Sequence, residues 1–145
     1  SSMLEGETRE VALVHAGIAK EIFKTGHPLS PPACVLSGGE TTVTILGRGL
    51  GGRNLEFVLA AAMSLSGRER VVVLSAGTDG TDGPTDAAGA VADGLSVHRA
   101  QALGLNPADF LSNNDAYHFF EKLGDLVKTG PTKTNVMDLR ILLVA

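Results

Sequence analysis

Several absences narrow the classes of protein to which this 145-residue chain can belong. It has one cysteine, no tryptophan and only six other aromatic residues, five phenylalanines and one tyrosine. A single thiol, Cys34, cannot form an internal disulfide, so we expect a reducing compartment. The few aromatic rings and the net charge of −4 argue against a nucleic-acid groove, which needs stacking platforms and a basic stripe. The longest apolar run, at 57–63, is far shorter than the roughly 18 residues of a membrane-spanning helix, so we expect no membrane partner.

Glycine is abundant, with 18 residues in the chain, and its placement is informative. The glycines cluster beside apolar runs, at 38–39, 47–52 and 77–89. Such clusters predict tight loops, lined by backbone, at the ends of strands. Residues 1–3, Ser-Ser-Met, are interpreted as a cloning remnant and excluded, and residues 4–145 are expected to form one domain.

Hydrophobic periodicity predicts alternating helices and strands. Apolar residues recur every three or four positions over 5–25, which predicts an amphipathic helix. Residues 33–36 form a short apolar run typical of a buried strand, and the alternation at 42–46 predicts a second strand that returns from it as a hairpin. Residues 70–75 are apolar on both faces, as in a central parallel strand. The expected fold class is α/β, a three-layer α/β/α sandwich with a mixed, largely parallel sheet.

The glycine loop at 47–54 precedes a predicted helix at 55–65. Free N–H groups at a helix N-terminus attract anions, and Arg48 and Arg53 add guanidinium groups that bind phosphate or carboxylate. The loop satisfies G-x-G-x-x-G, but the acid that a dinucleotide site needs about 20 residues later is missing. The alternative is a tight turn whose arginines lie in solvent.

Three carboxylates, those of Asp79, Asp82 and Asp86, follow the strand at 70–75. Ligands of open α/β sheets bind beyond the carboxyl ends of strands, where a carboxylate can accept a proton from a hydroxyl or hold Mg²⁺. The alternative is that the Asp-Gly pairs only form turns. Before Glu40, the N–H groups of Gly38-Gly39 can form an anion nest, or the segment is only a hairpin turn. The loop 130–138, which contains Thr132, either lines a polar cleft or is an ordinary ordered loop.

Four ordered motifs resemble those of the MOFRL domain, the C-terminal part of the type II glycerate kinases, some of which are named hydroxypyruvate reductases. They are LSGGETTV at 36–43, GGRNxE at 51–56, SAGTDGxDGPTDAAGA at 75–90 and GPTxTNV at 130–136. The resemblance extends over 4–144 and implies about one third of a two-domain enzyme. The N-terminal Rossmann-like domain is absent, and the active site is expected between the two domains.

The resemblance also implies an activity. The family transfers the γ-phosphoryl group of ATP to D-glycerate, giving phosphoglycerate, with a divalent cation such as Mg²⁺. ATP and Mg²⁺ are therefore the implied cofactors, bound mainly in the two-domain enzyme, and D-glycerate and the protein's own N-terminal domain the implied partners. The isolated chain is expected to be inactive. The 2- or 3-phosphoglycerate product and homo-oligomerisation stay open, and the expected location is intracellular, in the cytoplasm or, in a eukaryote, the mitochondrion.

Two alternatives to the kinase are an NAD(P)-dependent hydroxypyruvate reductase and a non-catalytic docking or dimerisation domain. For the kinase, the resemblance assigns Arg53 to a phosphate or to the glycerate carboxylate. It assigns Asp79 to the attacking hydroxyl or to Mg²⁺, with Asp82 as a second metal ligand. The implied substrate- or phosphate-binding residues are Glu40, Gly51, Gly52, Asn54 and Thr132. The sequence departs from the family pattern at Leu55, Ala116, Lys133 and Met137.

Overall fold

The computed structural model describes all 145 residues and contains five helices and five strands. The helices are α1 (Thr8–Thr25), α2 (Arg53–Leu65), α3 (Ser96–Ala102), α4 (Pro107–Ser112) and α5 (Ala116–Leu123). The strands are β1 (Ala33–Gly39), β2 (Val71–Gly77), β3 (Gly89–Asp93), β4 (Leu126–Val127) and β5 (Asp138–Val144). None of the helices combines the length and the apolar character that crossing a membrane requires.

Helix ends follow local sequence signals. Gly26 ends α1 and Gly124 ends α5, each in the left-handed region, with φ of 73° and 75°. A side chain would be strained there, which is why glycine closes these helices. Asn106 caps α4 by accepting a hydrogen bond from the Ala108 N–H, and Pro107 occupies the first helical position. Each of these signals is local and can be recognised in the sequence.

The sheet has the strand order β1-β5-β2-β3-β4, and every neighbouring pair is antiparallel. The expectation of a largely parallel sheet is therefore wrong, because the last strand of the chain lies between β1 and β2 and runs opposite to both. The predicted hairpin is also wrong. Residues 42–46 form no strand beyond an isolated bridge at Thr42, and β1 pairs with β5 instead.

All five helices lie on one face of the sheet, so the chain has two layers rather than the expected three. Alternate strand residues such as Val71, Val73 and Leu142 face the helices and belong to a single core cluster of 25 buried residues, which includes residues of α1, α2, α3 and α5. The opposite, helix-free face presents apolar side chains that are exposed or half-buried: Cys34, Leu36, Val72, Leu74, Leu139, Ile141 and Leu143. Cys34, expected in the core, is exposed on this face.

The glycine loop before α2 is bound to the turn between α4 and α5. The Asn114 Oδ1 accepts hydrogen bonds from the N–H groups of Leu46 (2.8 Å) and Gly47 (2.9 Å). The Asp115 Oδ1 accepts one from the Leu50 N–H at 2.8 Å. Because several backbone donors are fixed in this way, the loop holds the start of α2 in a defined place.

Candidate functional site

A cleft of about 540 Å³ opens at the N-terminus of α2. The glycine loop forms one side through Gly49, Gly51 and Gly52, and the segment from Glu40 to Val43 forms another. Arg53 is the only cationic residue of the lining. The cleft therefore combines a surface of glycine backbone with a single guanidinium, beside the carboxylates of Glu40 and Glu56. Glycine backbone and guanidinium together can bind a small anionic group.

The guanidinium of Arg53 is held at one edge. Its Nε donates to the carboxylate of Asp138, at 2.8 Å from Oδ2 and 3.1 Å from Oδ1. Its Nη1 lies 3.4 Å from Oε1 of Glu40, and its Nη2 has no hydrogen-bond partner in the chain. The hydrogen bond to Asp138 raises the pKa of Arg53 above its usual value. With 32% of its side chain exposed, Arg53 can offer its terminal nitrogens to a ligand in the cleft.

Asp138 is the buried partner of Arg53. Its side chain is inaccessible to solvent, and it also accepts hydrogen bonds from Asn54 Nδ2 at 2.9 Å and Arg140 Nη2 at 3.0 Å. Asp138 and Arg140 lie two residues apart on β5, so both side chains point to the helix side of the sheet. Burial lowers the pKa of Arg140, which is 1% exposed.

Asp82 caps α2. Its carboxylate accepts hydrogen bonds from the N–H groups of Asn54 (3.0 Å) and Leu55 (2.8 Å) and from Asn54 Nδ2 (3.2 Å). Burial raises the pKa of Asp82, and these three donors oppose that rise. Two of the N–H groups that the sequence suggested for an external anion, those of Asn54 and Leu55, are therefore occupied by a carboxylate of the chain itself.

The residues implied for Mg²⁺ do not fit a metal site within this chain. Asp82 is 2% exposed, and both of its oxygens accept hydrogen bonds from α2. The Oδ1 of Asp79 accepts hydrogen bonds from the N–H (3.0 Å) and the hydroxyl (3.2 Å) of Thr81. No group of three or more His, Cys, Asp or Glu residues is placed to hold a metal ion. Asp79 has only its second oxygen left for a cation.

The predicted site residues fall into two sets. Glu40, Gly51, Gly52 and Arg53 line the cleft, and the buried Asn54 lies directly behind it. Asp79 and Thr132 are outside the lining, on two loops that bind each other, since the Thr132 N–H donates to the Asp79 carbonyl at 3.1 Å. These loops lie at the same end of the sheet as Asp138, the partner of Arg53, because Gly77, two residues before Asp79, pairs with Asp138. The roles assigned to these residues stay predictions.

Sequence reasoning missed several residues of the site. Asp138 and Arg140 carry a detectable signal, because charges alternate with apolar residues at the start of the strand 138–144. Glu56 is the last residue of the GGRNxE motif but was given no role, and Asn114 carries no signal. The Asn114 Nδ2 donates to Glu56 Oε2 at 2.9 Å across 58 positions of sequence, a contact that only the fold creates.

Comparison with known proteins gives consistent matches. The model of the MOFRL family matches residues 33–138. The D-glycerate 2-kinase of Thermotoga maritima is 49% identical over 144 residues, which cover 99% of this chain and 34% of that protein. A protein of Agrobacterium vitis that bears the provisional name hydroxypyruvate reductase is 46% identical, covering 97% of this chain and 33% of that one. The crystal structure of glycerate kinase from Thermotoga maritima matches with a TM-score of 0.98 at 49% identity, covering 99% of this chain and 35% of that one. The chain thus spans about a third of the length of these relatives.

Proposed function

The chain belongs to the MOFRL family, and on that premise we propose that it is the C-terminal domain of an ATP-dependent glycerate kinase. In this proposal residues 4–145 form one wall of an active site, and a larger N-terminal domain forms the other. The substrates are D-glycerate and ATP, and the product is phosphoglycerate. The exposed thiol of Cys34 supports the further proposal of a reducing, intracellular location.

The observation that carries the proposal is the geometry of Arg53. Phosphoryl transfer depends on positioning and on neutralising the charge of the transferred group, with little covalent work for the protein. A guanidinium held at Nε by Asp138 presents its terminal nitrogens in one orientation. Those nitrogens can bind a phosphoryl oxygen or the glycerate carboxylate through charge-assisted hydrogen bonds. In this mechanism Arg53 binds and orients the anion, and Glu40 leaves its ion pair with Nη1 when the ligand enters.

The position of the N-terminal segment supports an interdomain site. The Thr42 N–H donates to the carbonyl of Gly6 at 2.9 Å, and the Thr8 N–H donates to the carbonyl of Thr42 at 2.8 Å. Residues 6–8 therefore run along the wall of the cleft that contains Glu40 and Thr42. The residues before this segment lie against the end of β1, since the Leu4 N–H donates to the Gly38 carbonyl at 3.1 Å, two residues before Glu40. In this proposal the N-terminal domain joins the chain beside that wall.

Asp79 is given a role on the substrate hydroxyl, and the metal is given none within this chain. We propose that Asp79 orients or deprotonates the attacking hydroxyl through Oδ2, the oxygen that its own loop leaves free. Mg²⁺, when bound with ATP, would supply neutralisation of phosphate charge. Because the carboxylates of this chain do not fit a magnesium site, no step is assigned to the metal here.

The reductase is the second candidate, and the name of the Agrobacterium relative favours it. The geometry of the glycine loop opposes it. A dinucleotide pyrophosphate binds free N–H groups at a helix N-terminus, whereas Asp82 occupies those of Asn54 and Leu55. The docking domain is the third candidate, and the helix-free face of the sheet is the feature that would serve it.

One experiment separates these functions. The full-length protein is supplied with D-glycerate and ATP while ADP is measured, and in parallel with hydroxypyruvate and NADH while NAD⁺ is measured. We expect ADP and phosphoglycerate without NAD⁺, and no turnover by the 145-residue chain alone. The Arg53→Ala variant should lose at least about 2 kcal/mol of transition-state stabilisation, about thirtyfold in kcat/KM. NAD⁺ formation without ADP would establish the reductase. If neither ADP nor NAD⁺ forms, the docking domain is the remaining candidate.

A further inference from the structure

Four charged side chains and one amide form a hydrogen-bonded group at the inner side of the cleft, and all but Arg53 are buried. The carboxylates of Asp82 and Asp138 and the guanidiniums of Arg53 and Arg140 have formal charges that cancel. The Asn54 Nδ2 bridges the two carboxylates, at 3.2 Å from Asp82 Oδ1 and 2.9 Å from Asp138 Oδ1. Only Arg53 of these five residues lines the cleft, so the other four act on a ligand only through it.

We infer that Asp138 is a positioning residue, which fixes the plane of the Arg53 guanidinium and so directs its terminal nitrogens to the ligand. This inference rests on the proposed function of Arg53. Both carboxylate oxygens of Asp138 lie within 3.1 Å of the Arg53 Nε, which restrains rotation of the guanidinium. Strand β5 makes the restraint rigid, because Asp138 pairs with Gly39 of β1 on one side and Gly77 of β2 on the other.

Arg140 keeps Asp138 paired when Arg53 engages a ligand. Its Nη2 donates to Asp138 Oδ2 at 3.0 Å and to Thr41 Oγ1 at 2.9 Å, and its guanidinium lies 5.2 Å from the ring centre of Phe57. Its Nε and Nη1 have no partner in the chain. A buried guanidinium with two unused nitrogens is costly. Here it supplies a positive charge beside Asp138 that does not depend on the ligand.

A double-mutant cycle in the full-length enzyme distinguishes positioning from a merely structural ion pair. We expect Asp138→Asn to lower kcat at least about tenfold, since small misplacement of a positioned group reduces rate strongly. In an Arg53→Ala background the same change should alter kcat less than about twofold, because Asp138 acts only through Arg53. An equal loss in both backgrounds would overturn the inference. Leu142→Ala, a buried change on the same strand and face, is the control that lowers thermal stability without lowering kcat.

Chemical rescue tests whether Asp138, left intact, can position a guanidinium that is not part of the chain. Ethylguanidinium added to the Arg53→Ala enzyme should bind Asp138 and restore kcat at least about tenfold, with saturation. The Arg53→Ala/Asp138→Asn enzyme should show no recovery. If Asp138→Asn fails to fold, rescue of Arg53→Ala alone decides: saturable recovery supports the inference and its absence contradicts it.

A spectroscopic readout separates this inference from the proposed function. In ¹⁵N-labelled 145-residue chain, the Nε–Hε signal of Arg53, assigned by its loss in Arg53→Lys, should be shifted and protected from exchange relative to that of Arg48. Asp138→Asn should abolish that protection. Suppose that Asp138→Asn abolishes the protection but the full-length protein does not phosphorylate glycerate. That result would refute the kinase and support the positioning role of Asp138. If the full-length protein is an active kinase but Asp138→Asn leaves the Arg53 signal unchanged, the kinase is supported and the positioning role of Asp138 is refuted.

Discussion

Gly52 and Asp82 are packed so closely that a side chain at residue 52 has no room. A Cβ on Gly52 would lie 2.5 Å from Asp82 Cγ and 2.6 Å from both carboxylate oxygens. Asp82 cannot yield, because its oxygens hold the N–H groups of Asn54 and Leu55. The φ of Gly52, −155°, is accessible to any residue, so the requirement for glycine is steric.

We therefore expect Gly52→Ala to displace Asp82 from the N-terminus of α2. Overpacking and the loss of the cap should lower the free energy of unfolding by about 1–3 kcal/mol, measured by urea denaturation. The control is Gly17→Ala in α1, where nothing lies within 4 Å of the added Cβ and stability should rise by roughly 0.5–1 kcal/mol. Equal stability of the two variants would show that the contact between Gly52 and Asp82 is not maintained in solution.

Asp79→Asn separates chemistry from turn formation. Asparagine keeps an Oδ1 that can accept the hydrogen bonds of Thr81, so the free energy of unfolding should change by less than about 0.5 kcal/mol. If Asp79 acts on the hydroxyl, kcat/KM for glycerate should fall by about 10²-fold in the full-length enzyme. Asp86→Asn is the matched control, since the Asp86 carboxylate is bound by Tyr117 and Lys128. An unaltered rate in Asp79→Asn would remove Asp79 from the mechanism.

Glu40→Gln should strengthen the binding of the anionic substrate. The Glu40 carboxylate competes with a ligand for Nη1 of Arg53, but its side chain is 59% exposed and the pair is weak. We expect KM to fall by up to about fivefold, the equivalent of an exposed ion pair worth at most about 1 kcal/mol, with kcat unchanged. Glu121→Gln, an exposed change on α5, serves as the control. A large fall in kcat would instead mean that Glu40 takes part in the chemistry.

His15 should make the fold sensitive to acid. Its Nδ1 donates to the carbonyl of Val11 at 2.7 Å, since a carbonyl only accepts, and in the neutral imidazole its Nε2 accepts from the hydroxyl of Ser37 at 2.8 Å. Burial, and to a lesser extent the charge of Arg140, lowers the pKa of His15 below the usual 6.5.

The sign of the pH effect follows from that direction. The unfolded chain binds the proton at a higher pH than the folded chain does, so stability rises with pH in this range. The contribution of His15 is present in full above about pH 6.5 and is lost as the pH falls through the lowered pKa. Urea midpoints at pH 7.5, 6.5 and 5.5 should fall less steeply in His15→Gln than in the parent. The exposed His98→Gln is the control, and a slope in His15→Gln equal to that of the parent would contradict the prediction.

The fold was predictable where its causes are local. The left-handed glycines at 26 and 124 and the cap at Asn106 act within one helical turn, and the sequence shows them directly. The sheet was not predictable in the same way, because β5 pairs with a strand about a hundred residues earlier. The apolar residues 141–144 are typical of a strand but hold no information on which neighbours it joins.

The site divides along the same line. Glu40, Gly51, Gly52 and Arg53 occur in contiguous motifs, and the structure brings them into one cleft. The contact of Arg53 with Asp138 joins residues 85 positions apart, which no local pattern encodes. Asp82 was interpreted as a metal ligand, whereas its carboxylate lies at the N-terminus of α2. A helix N-terminus and a metal ion both favour aspartate, because each presents positive charge to the carboxylate.

The helix-free face of the sheet has a practical consequence for anyone who purifies the 145-residue chain. Leu36, Leu139 and Leu143 are each more than 40% exposed there, beside the free thiol of Cys34. If protein is lost during concentration, the cause should therefore be self-association of correctly folded molecules through this face and slow oxidation of their Cys34 thiols to intermolecular disulfides. A reducing buffer, and a lysine at position 36 or 143, would raise the yield while leaving the opposite face of the sheet, where Asp138 and Arg140 reside, undisturbed.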